Sequence, residues 1–348
     1  MTSFARSLSL LVAAGFGVFS FANVFYFLAN LLGMRGVSPQ AAGLAVSIFY
    51  VATTLFRPAG GWLVENLGLR TTLVGSALAG FAGSAGLALA GGNLPLVLAC
   101  RVLMGIGYSA FIVAFSAYQN LAIPPERRGF AFALTTVGLM MPLVFVVPLA
   151  DWLLRHGHVG AYLSISPIMA LFCAAVGWSF GKITIAPRSE SPRTWGTYGE
   201  LFRLAQVRAL LLSMFLLSLT DSLTLCLGAL LVGQGLVPSA FIASYAVTAV
   251  GVRLATLRVI DRMPRPLMAA PCFGLMAAAL LALSLVESNA GTALWGAVFG
   301  VGVGLGFPAP LALVGDMPPQ PGLQERKRAW ERPRGAATSP PVPCCRAG

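Results

Sequence analysis

Residues 57–70 read RPAGGWLVENLGLR, and this stretch decides the fold because one apolar run ends in it and another begins. Each of the two runs has about twenty apolar residues, which is the length that a helix needs to cross a bilayer. The stretch holds three charged residues, Arg57, Glu65 and Arg70, and three glycines, of which Gly61 and Gly68 are spaced seven residues apart. It therefore predicts two membrane helices joined by a short charged turn at one membrane surface.

Apolar residues dominate the rest of the chain as well. Of its 348 residues 57% are hydrophobic and 10% are charged, whereas an ordinary soluble domain has about 45–50% apolar and about 25% charged residues. So few charges cannot cover a surface in water, and the composition predicts an all-α integral membrane protein. We expect ten spans, roughly at 8–32, 41–63, 72–91, 95–121, 129–153, 160–181, 208–232, 240–260, 267–287 and 292–314.

Basic residues are concentrated at one set of the predicted helix ends. With the N-terminus in the cytoplasm, the cytoplasmic segments hold Arg70, Arg127, Arg128, Lys182, Arg188, Arg193, Arg203, Arg208, Arg262 and Arg265, and the other side holds only Arg35 and Arg155. Because loops rich in Lys and Arg stay in the cytoplasm, this bias predicts a multi-pass protein of the inner (plasma) membrane with a cytoplasmic N-terminus. It also accounts for the net charge of +12 without a nucleic acid partner.

One long polar connection divides the apolar part of the chain. We expect residues 1–181 to form a six-helix bundle, residues 182–207 a cytoplasmic linker and residues 208–316 a second bundle of four helices. Residues 317–348 are polar and rich in Pro, Arg and Gly, so they are expected to be disordered.

Features of the first bundle recur in the second. Arg253 and Asp261 keep the eight-residue separation of Arg57 and Glu65, so each pair lies on one helix face, two turns apart. The fourth and tenth spans both carry a Gly-x-Gly sequence, at Gly105 and Gly107 and at Gly304 and Gly306, and two prolines follow each span. The common offset of about 194–199 residues indicates an internal duplication.

These motifs resemble those of the major facilitator superfamily. Its hallmark between helices 2 and 3 is a Gly, three residues, an acid, a basic residue, any residue, a Gly and two basic residues. Gly61, Glu65, Gly68 and Arg70 match it, whereas Asn66 and Leu69 replace basic residues.

Two further motifs extend the resemblance. Arg101 with Gly105 and Gly107 is similar to the arginine-and-glycine pattern of the family's helix 4. Gly138 and Pro142 match part of the glycine-proline motif of proton-driven exporters. The resemblance implies two duplicated six-helix bundles and proton-coupled export of a small organic molecule, such as a drug, a metabolite or a metallophore.

The chain differs from the family in its helix count. Twelve helices are expected and ten are found, and the repeat can be followed only to Pro319. This favours a truncated or frameshifted C-terminal end; the alternative is a ten-helix variant with a basic tail.

Ionisable residues inside apolar helices are costly and are usually functional or paired. Asp221 in the seventh span is a candidate for binding a proton or a cationic group, and Arg101 in the fourth for shifting a nearby pKa or holding an anion. The alternative is that both are satisfied by hydroxyls and carbonyls of the bundle. Asn23 and Tyr26 lie three residues apart on one face of the first span, where the resemblance implies a substrate cavity.

The charged motif residues have a different predicted role. We interpret Arg57, Gly61, Glu65, Gly68, Arg70, Arg253 and Asp261 as a cytoplasmic gate, whose charges pair in one conformation and separate in the other. Two further acids, Asp151 and Glu287, lie at the outer ends of their spans and are expected to contact only water.

The sequence therefore predicts a monomeric secondary transporter exchanging protons for a small organic molecule. It has no ATP-binding loop, no predicted metal site or cofactor, and no cluster of His, Asp or Glu that would suggest an enzyme. The alternatives are an importer of a sugar or organic acid, a membrane enzyme or sensor, and an inactive truncated product.

Overall fold

The computed structural model describes residues 3–123, 128–181, 231–256 and 265–306, with single positions between 208 and 224. Its α-helices are Ser3–Asn23 (α1), Leu28–Met34 (α2), Pro39–Leu67 (α3), Leu69–Leu89 (α4), Leu94–Ala122 (α5), Arg128–Arg155 (α6), Val159–Ser179 (α7), Pro238–Thr256 (α8), Arg265–Leu283 (α9) and Asn289–Gly306 (α10). Most of the seventh predicted span, the linker 182–207 and the tail 317–348 lie outside the described residues, as do Asp221 and Asp261.

The length and composition of the helices confirm the all-α membrane class. Within the part of the chain that the structure describes, seven helical segments are long and apolar enough to cross a bilayer: Phe4–Met34, Pro39–Leu67, Leu69–Leu89, Leu94–Ala122, Leu134–Arg155, Val159–Ser179 and Pro238–Thr256. Helix α9 contributes a shorter apolar segment, Ala270–Leu283.

Side chains at the turns define where two of the long helices begin. The Ser38 hydroxyl accepts a hydrogen bond from the backbone N–H of Ala41, and the Asn93 carboxamide oxygen accepts one from Leu96. A proline lies in the first turn of both helices, where its missing N–H costs nothing. These caps place the starts of α3 and α5 within two residues of the predicted positions.

Helix α5 is the centre of the first bundle and packs against both α3 and α4. Two glycines permit this close approach. A Cβ atom at Gly105 would lie 2.6 Å from the Phe49 carbonyl oxygen of α3, and one at Gly107 would lie 2.7 Å from the Ser76 carbonyl oxygen of α4. Any side chain at these positions would push the helices apart.

The second bundle repeats this packing with α10 between α8 and α9. A Cβ atom at Gly300 would overlap with the Tyr245 carbonyl oxygen of α8, and one at Gly302 would lie 2.9 Å from the Cys272 carbonyl oxygen of α9. Gly300 and Gly302 therefore take the places of Gly105 and Gly107.

The predicted pairing of these glycines with Gly304 and Gly306 was wrong by four residues, about one helical turn. Both Gly-x-Gly pairs in α10 look alike in sequence, and only the carbonyl groups that each pair faces distinguish them. The prediction of a duplication itself is confirmed by the repeated packing of α3, α4 and α5 in α8, α9 and α10.

The turns between the helices lie at two opposite ends of the molecule. We call the end that carries residues 35–38, 90–93, 156–158 and 284–288 the distal end, because it lies one membrane crossing away from the start of α1. There, the Arg35 guanidinium donates to the Gly91 carbonyl at 2.7 Å, and the backbone N–H of Val237 donates to Asn289 at 2.9 Å. The orientation prediction makes this the outer face, and the opposite, proximal end the cytoplasmic face.

The halves meet where α6 packs against α8. One apolar core crosses this contact and includes Val147 and Ala150 of α6 with Phe241 and Ile242 of α8. A second core, which includes Leu8, Leu69 and Phe111, contains residues of the first half alone and lies towards the proximal end. Among the described residues, the halves are therefore joined at the distal end.

Candidate functional site

The first membrane helix is interrupted two-thirds of the way along its length. Helix α1 ends at Asn23, a 3-10 helix follows at Val24–Phe27, and α2 continues the crossing from Leu28. Phe25 has φ −86° and ψ 15°, which breaks the α-helical hydrogen-bond pattern. The apolar sequence predicts one continuous span from 8 to 32, and this prediction is wrong at the break. The sequence does carry a signal, since four consecutive β-branched or aromatic residues are poor helix formers.

A broken membrane helix is a common place for a transport site, because its freed backbone groups can bind a substrate or ion. Asn23 and Tyr26, the two predicted cavity residues of this helix, lie directly at the break. Both are half-buried, whereas Val24, Phe25 and Phe27 between and beside them are fully buried. The break therefore leaves two polar side chains at an otherwise apolar position.

Behind the break lies the Arg101 guanidinium of α5, which is only 2% exposed. Its Nε donates to the Ala45 carbonyl of α3 at 3.1 Å, and Nη2 donates to the Val46 carbonyl at 3.5 Å. The guanidinium carbon lies 4.5 Å from the centre of the Phe49 ring and 5.3 Å from that of Phe25. Aromatic faces attract cations, so two rings and two carbonyls hold the charge.

None of these contacts neutralises the positive charge of Arg101. Its Nη1 has no hydrogen-bond partner among the described residues, and no carboxylate there forms an ion pair with it. The Tyr162 hydroxyl of α7, which is fully buried, also has no partner within the described part of the chain. Tyr162 packs edge-on against Phe25, with ring centres 6.2 Å apart.

Two buried donors thus lie on the same aromatic ring, Phe25, with no acceptor for either among the described residues. Leaving a buried donor unpaired costs about 1–3 kcal/mol, and more when it is charged. An acceptor with negative charge would satisfy the Arg101 guanidinium. Tyr162 is not identifiable from the sequence, since one tyrosine in an apolar helix is not distinctive without its neighbours.

The charge of Arg101 has no counterpart in the second half. In the repeat register set by the glycine contacts, the equivalent position is Gly296, which lies against the Phe241 carbonyl of α8. Arg101 bonds to the Ala45 carbonyl at the corresponding place on α3. The same position of the repeat thus holds a glycine in close contact in the second half and an arginine in the first. The duplicated packing therefore does not require the arginine.

The residues of the predicted gate occupy several environments. Arg57 and Glu65 are exposed near the proximal end of α3, and the Arg70 guanidinium stacks on Trp178 at 4.1 Å from the ring centre. Gly61 has open space around its Cα, whereas Gly68 joins α3 to α4 with a φ of +81°. No ion pair connects these charges within the described residues, and their gating role stays a prediction.

Arg253, the gate residue of the second half, is buried inside its own bundle. Its Nε and Nη2 both lie 3.4 Å from carbonyl oxygens of α10, at Gly304 and Val303. Its repeat equivalent, Arg57, is exposed. Asp221 and Asp261 lie outside the described residues, so their predicted roles in proton binding and gating remain predictions.

The expectation that Asp151 contacts only water was wrong. Its side chain is 8% exposed and both carboxylate oxygens are engaged. Oδ1 accepts from Arg155 Nε at 2.9 Å, and Oδ2 accepts from the Ser239 hydroxyl of α8 at 2.6 Å. Sequence position alone placed it at a helix end, but α8 of the other half covers that end. Glu287, the second such acid, is exposed as expected.

Comparison with known proteins connects this arrangement to a family. The model of the Major Facilitator Superfamily matches residues 8–329. In structure, the chain is similar to the human organic anion transporter MFSD10 (TETRAN), with a TM-score of 0.69 and 15% identity over 90% of this chain and 86% of that one. At this identity the likeness concerns the fold alone.

Two relatives are similar in sequence. An uncharacterized 38 kDa protein in the 23S RNA operon of Thermoproteus tenax is 27% identical over 62% of this chain and 58% of its own length. The multidrug export protein EmrB of Haemophilus influenzae is 25% identical over 43% of this chain and 29% of its own length. The chain thus matches less than two-thirds of the length of either relative.

Proposed function

The chain belongs to the major facilitator superfamily, and from that premise we propose that it is a secondary transporter that exports small organic anions by alternating access. The observation that carries the proposal is the buried, unneutralised guanidinium of Arg101 behind the break at Val24–Phe27. An anionic substrate group would supply the negative charge that the described residues near Arg101 lack.

Asn23 and Tyr26 support the proposal from the other side of the break. Both side chains are half-buried and lie at the break, and we propose that they contact the substrate. Phe25 lies between them in sequence and also contacts Arg101 and Tyr162. We propose that the substrate displaces this ring when it binds to the Arg101 guanidinium.

The relatives favour an organic substrate and outward transport. The similar proteins include an organic anion transporter and a multidrug export protein, and both descriptions fit a site with an apolar lining and one buried cation. Proton coupling is the drive that we propose, with Asp221 as the group that takes up the proton. An importer of a sugar or organic acid remains the alternative within the same fold.

The test is flux into and out of liposomes that contain the purified full-length chain. We expect an imposed pH gradient to drive an aromatic carboxylate dye across the membrane, and a neutral sugar and an organic cation to move at the background rate. Arg101→Met should reduce dye flux at least about tenfold, the factor that 1.4 kcal/mol of lost binding produces. Arg35→Met is the matched control, because Arg35 also donates to a carbonyl but lies in a distal turn.

Two results would decide against parts of the proposal. Equal dye flux in Arg101→Met and the unchanged protein would remove Arg101 from the substrate site. Transport of the sugar in place of the dye would favour the importer. Asp221→Asn should abolish the dependence of flux on the pH gradient, and an unaltered dependence would exclude Asp221 as the coupling group.

A further inference from the structure

Asp151 is the one buried acid among the residues that the structure describes, and it lies between the two halves of the molecule. Its two oxygens are bound by residues from different halves. Arg155, one turn further along α6, neutralises the carboxylate from the same helix, while Ser239 at the start of α8 binds it from the other half. The family motifs in the sequence include none of these three residues.

The bond from Ser239 to Asp151 is short, at 2.6 Å between the two oxygens. Hydrogen bonds from a hydroxyl to an ionised carboxylate have this length and are roughly twice as strong as neutral ones. The carboxylate also lies at the N-terminal end of α8, where the partial positive charge of the helix favours an anion. The apolar core that crosses from α6 to α8 includes Ala150, the residue next to Asp151.

From this geometry we propose that Asp151 and Ser239 form a latch that closes the distal end of the transporter and opens once in each transport cycle. Rocking of the two bundles against each other separates α6 from α8 at that end, and this motion breaks the bond between the halves. The bond between Asp151 and Arg155 lies within one helix and persists through the motion.

Arg155 makes the latch reversible. A buried carboxylate that lost its only partner would oppose opening strongly, but Asp151 keeps its ion pair when Ser239 leaves. The Arg155 side chain is 42% exposed, so water already solvates the pair from the distal side. Opening therefore exchanges one hydrogen bond to Ser239 for one to water. The free-energy difference between the closed and open states stays small enough for repeated cycling.

The latch rests on the alternating-access transport proposed above, but the first measurement requires no substrate. In a chain whose six cysteines are replaced, a single Ala150→Cys in proteoliposomes reports opening, because Ala150 is fully buried on α6 beside the latch. A membrane-impermeant maleimide should label it about tenfold faster when Ser239→Ala is added, since a hydrogen bond to a charged group is worth at least that factor.

Ser244→Ala is the matched control for this measurement, because Ser244 also lies on α8 but donates to the Phe241 carbonyl of its own helix. Its labelling rate should equal that of the unchanged chain. Equal rates for Ser239→Ala and Ser244→Ala would overturn the latch, whether or not the protein transports organic anions.

The second measurement tests whether the latch must open. Asp151→Cys with Ser239→Cys should form a disulfide under mild oxidation, stop flux of the carboxylate dye, and regain it on reduction; each single variant should be insensitive to oxidant. Failure to cross-link would show that the two side chains are not adjacent, and full flux in the cross-linked protein would show that the contact does not open. Either result would contradict the proposal.

Discussion

At the scale of single residues, helix packing accounts for a small residue such as Gly105 but not for a buried charged residue such as Arg101. Gly105 is needed because a neighbouring carbonyl leaves no room for a side chain, whereas Arg101 is buried although the described residues do not neutralise its charge. The close packing of α3 against α5 explains why Gly105 is a glycine. It does not explain the arginine, since the equivalent contact in the second half is made by Gly296, and this difference is why we assign Arg101 to the substrate site.

The packing role of Gly105 gives a direct stability prediction. Gly105→Ala places a methyl group 2.6 Å from the Phe49 carbonyl oxygen, and overpacking of this kind costs about 1–3 kcal/mol. The midpoint of thermal unfolding in detergent should therefore fall. Gly43→Ala on α3, where a Cβ meets nothing within 4 Å, is the control and should not lower the midpoint. A fall of equal size in both variants would show that helix contact is not the cause.

At the scale of elements, two interruptions matter: the 3-10 segment at Val24–Phe27 and the turn between α3 and α4. The turn is set by Gly68, the residue that both ends α3 and precedes α4. Its φ of +81° with ψ of 159° is a conformation that residues with a side chain rarely adopt. The glycine thus fixes the angle between two crossing helices.

Backbone strain predicts the effect of changing that turn. Gly68→Ala should destabilise the protein by about 1–3 kcal/mol, because alanine must adopt this disfavoured conformation. Gly61→Ala, in the same motif but inside α3 and with open space around it, should be neutral or slightly stabilising, since alanine is the better helix former. Unfolding of both variants and the unchanged chain can be compared by circular dichroism. Equal losses would mean that the motif glycines act by something other than backbone conformation.

At the scale of the whole molecule, two bundles of repeated helix packing are joined at the distal end through α6 and α8. The described residues thus show an arrangement closed at one face, in which the proximal core belongs to the first half alone. The arginine bias of the sequence predicts that the proximal face is cytoplasmic. The helix packing does not depend on this orientation, so it needs a separate test.

Orientation can be measured with two single cysteines in a cysteine-free chain expressed in cells. Gly92→Cys lies in a distal turn and Asn66→Cys near the proximal end of α3, and both positions are exposed. An impermeant maleimide should label Gly92→Cys in intact cells and Asn66→Cys only after permeabilisation. The reverse pattern would place the N-terminus outside and would make the latch a cytoplasmic one.

Much of the fold was predictable because the bilayer imposes it locally. Each apolar run needs about twenty residues, and its backbone must be satisfied within the helix, so spans such as 41–63 and 95–121 were found from the sequence. The ends were less accurate: α3 extends to Leu67, because the helix continues through the charged motif to Gly68. The break at Phe25 could not be predicted from hydrophobicity, because a 3-10 turn and an α-helix in the membrane are equally apolar.

By itself, the sequence determined the membrane class, the duplication and the family, because these depend on composition, spacing and motif. Only the tertiary structure decided which glycines pair in the repeat, what surrounds Arg101, and that Asp151 contacts the other half. Each of these depends on which groups from distant parts of the chain meet. Hydrogen bonds and close contacts act over a few ångströms in space, and the sequence distance from Asp151 to Ser239 gives no sign that they touch.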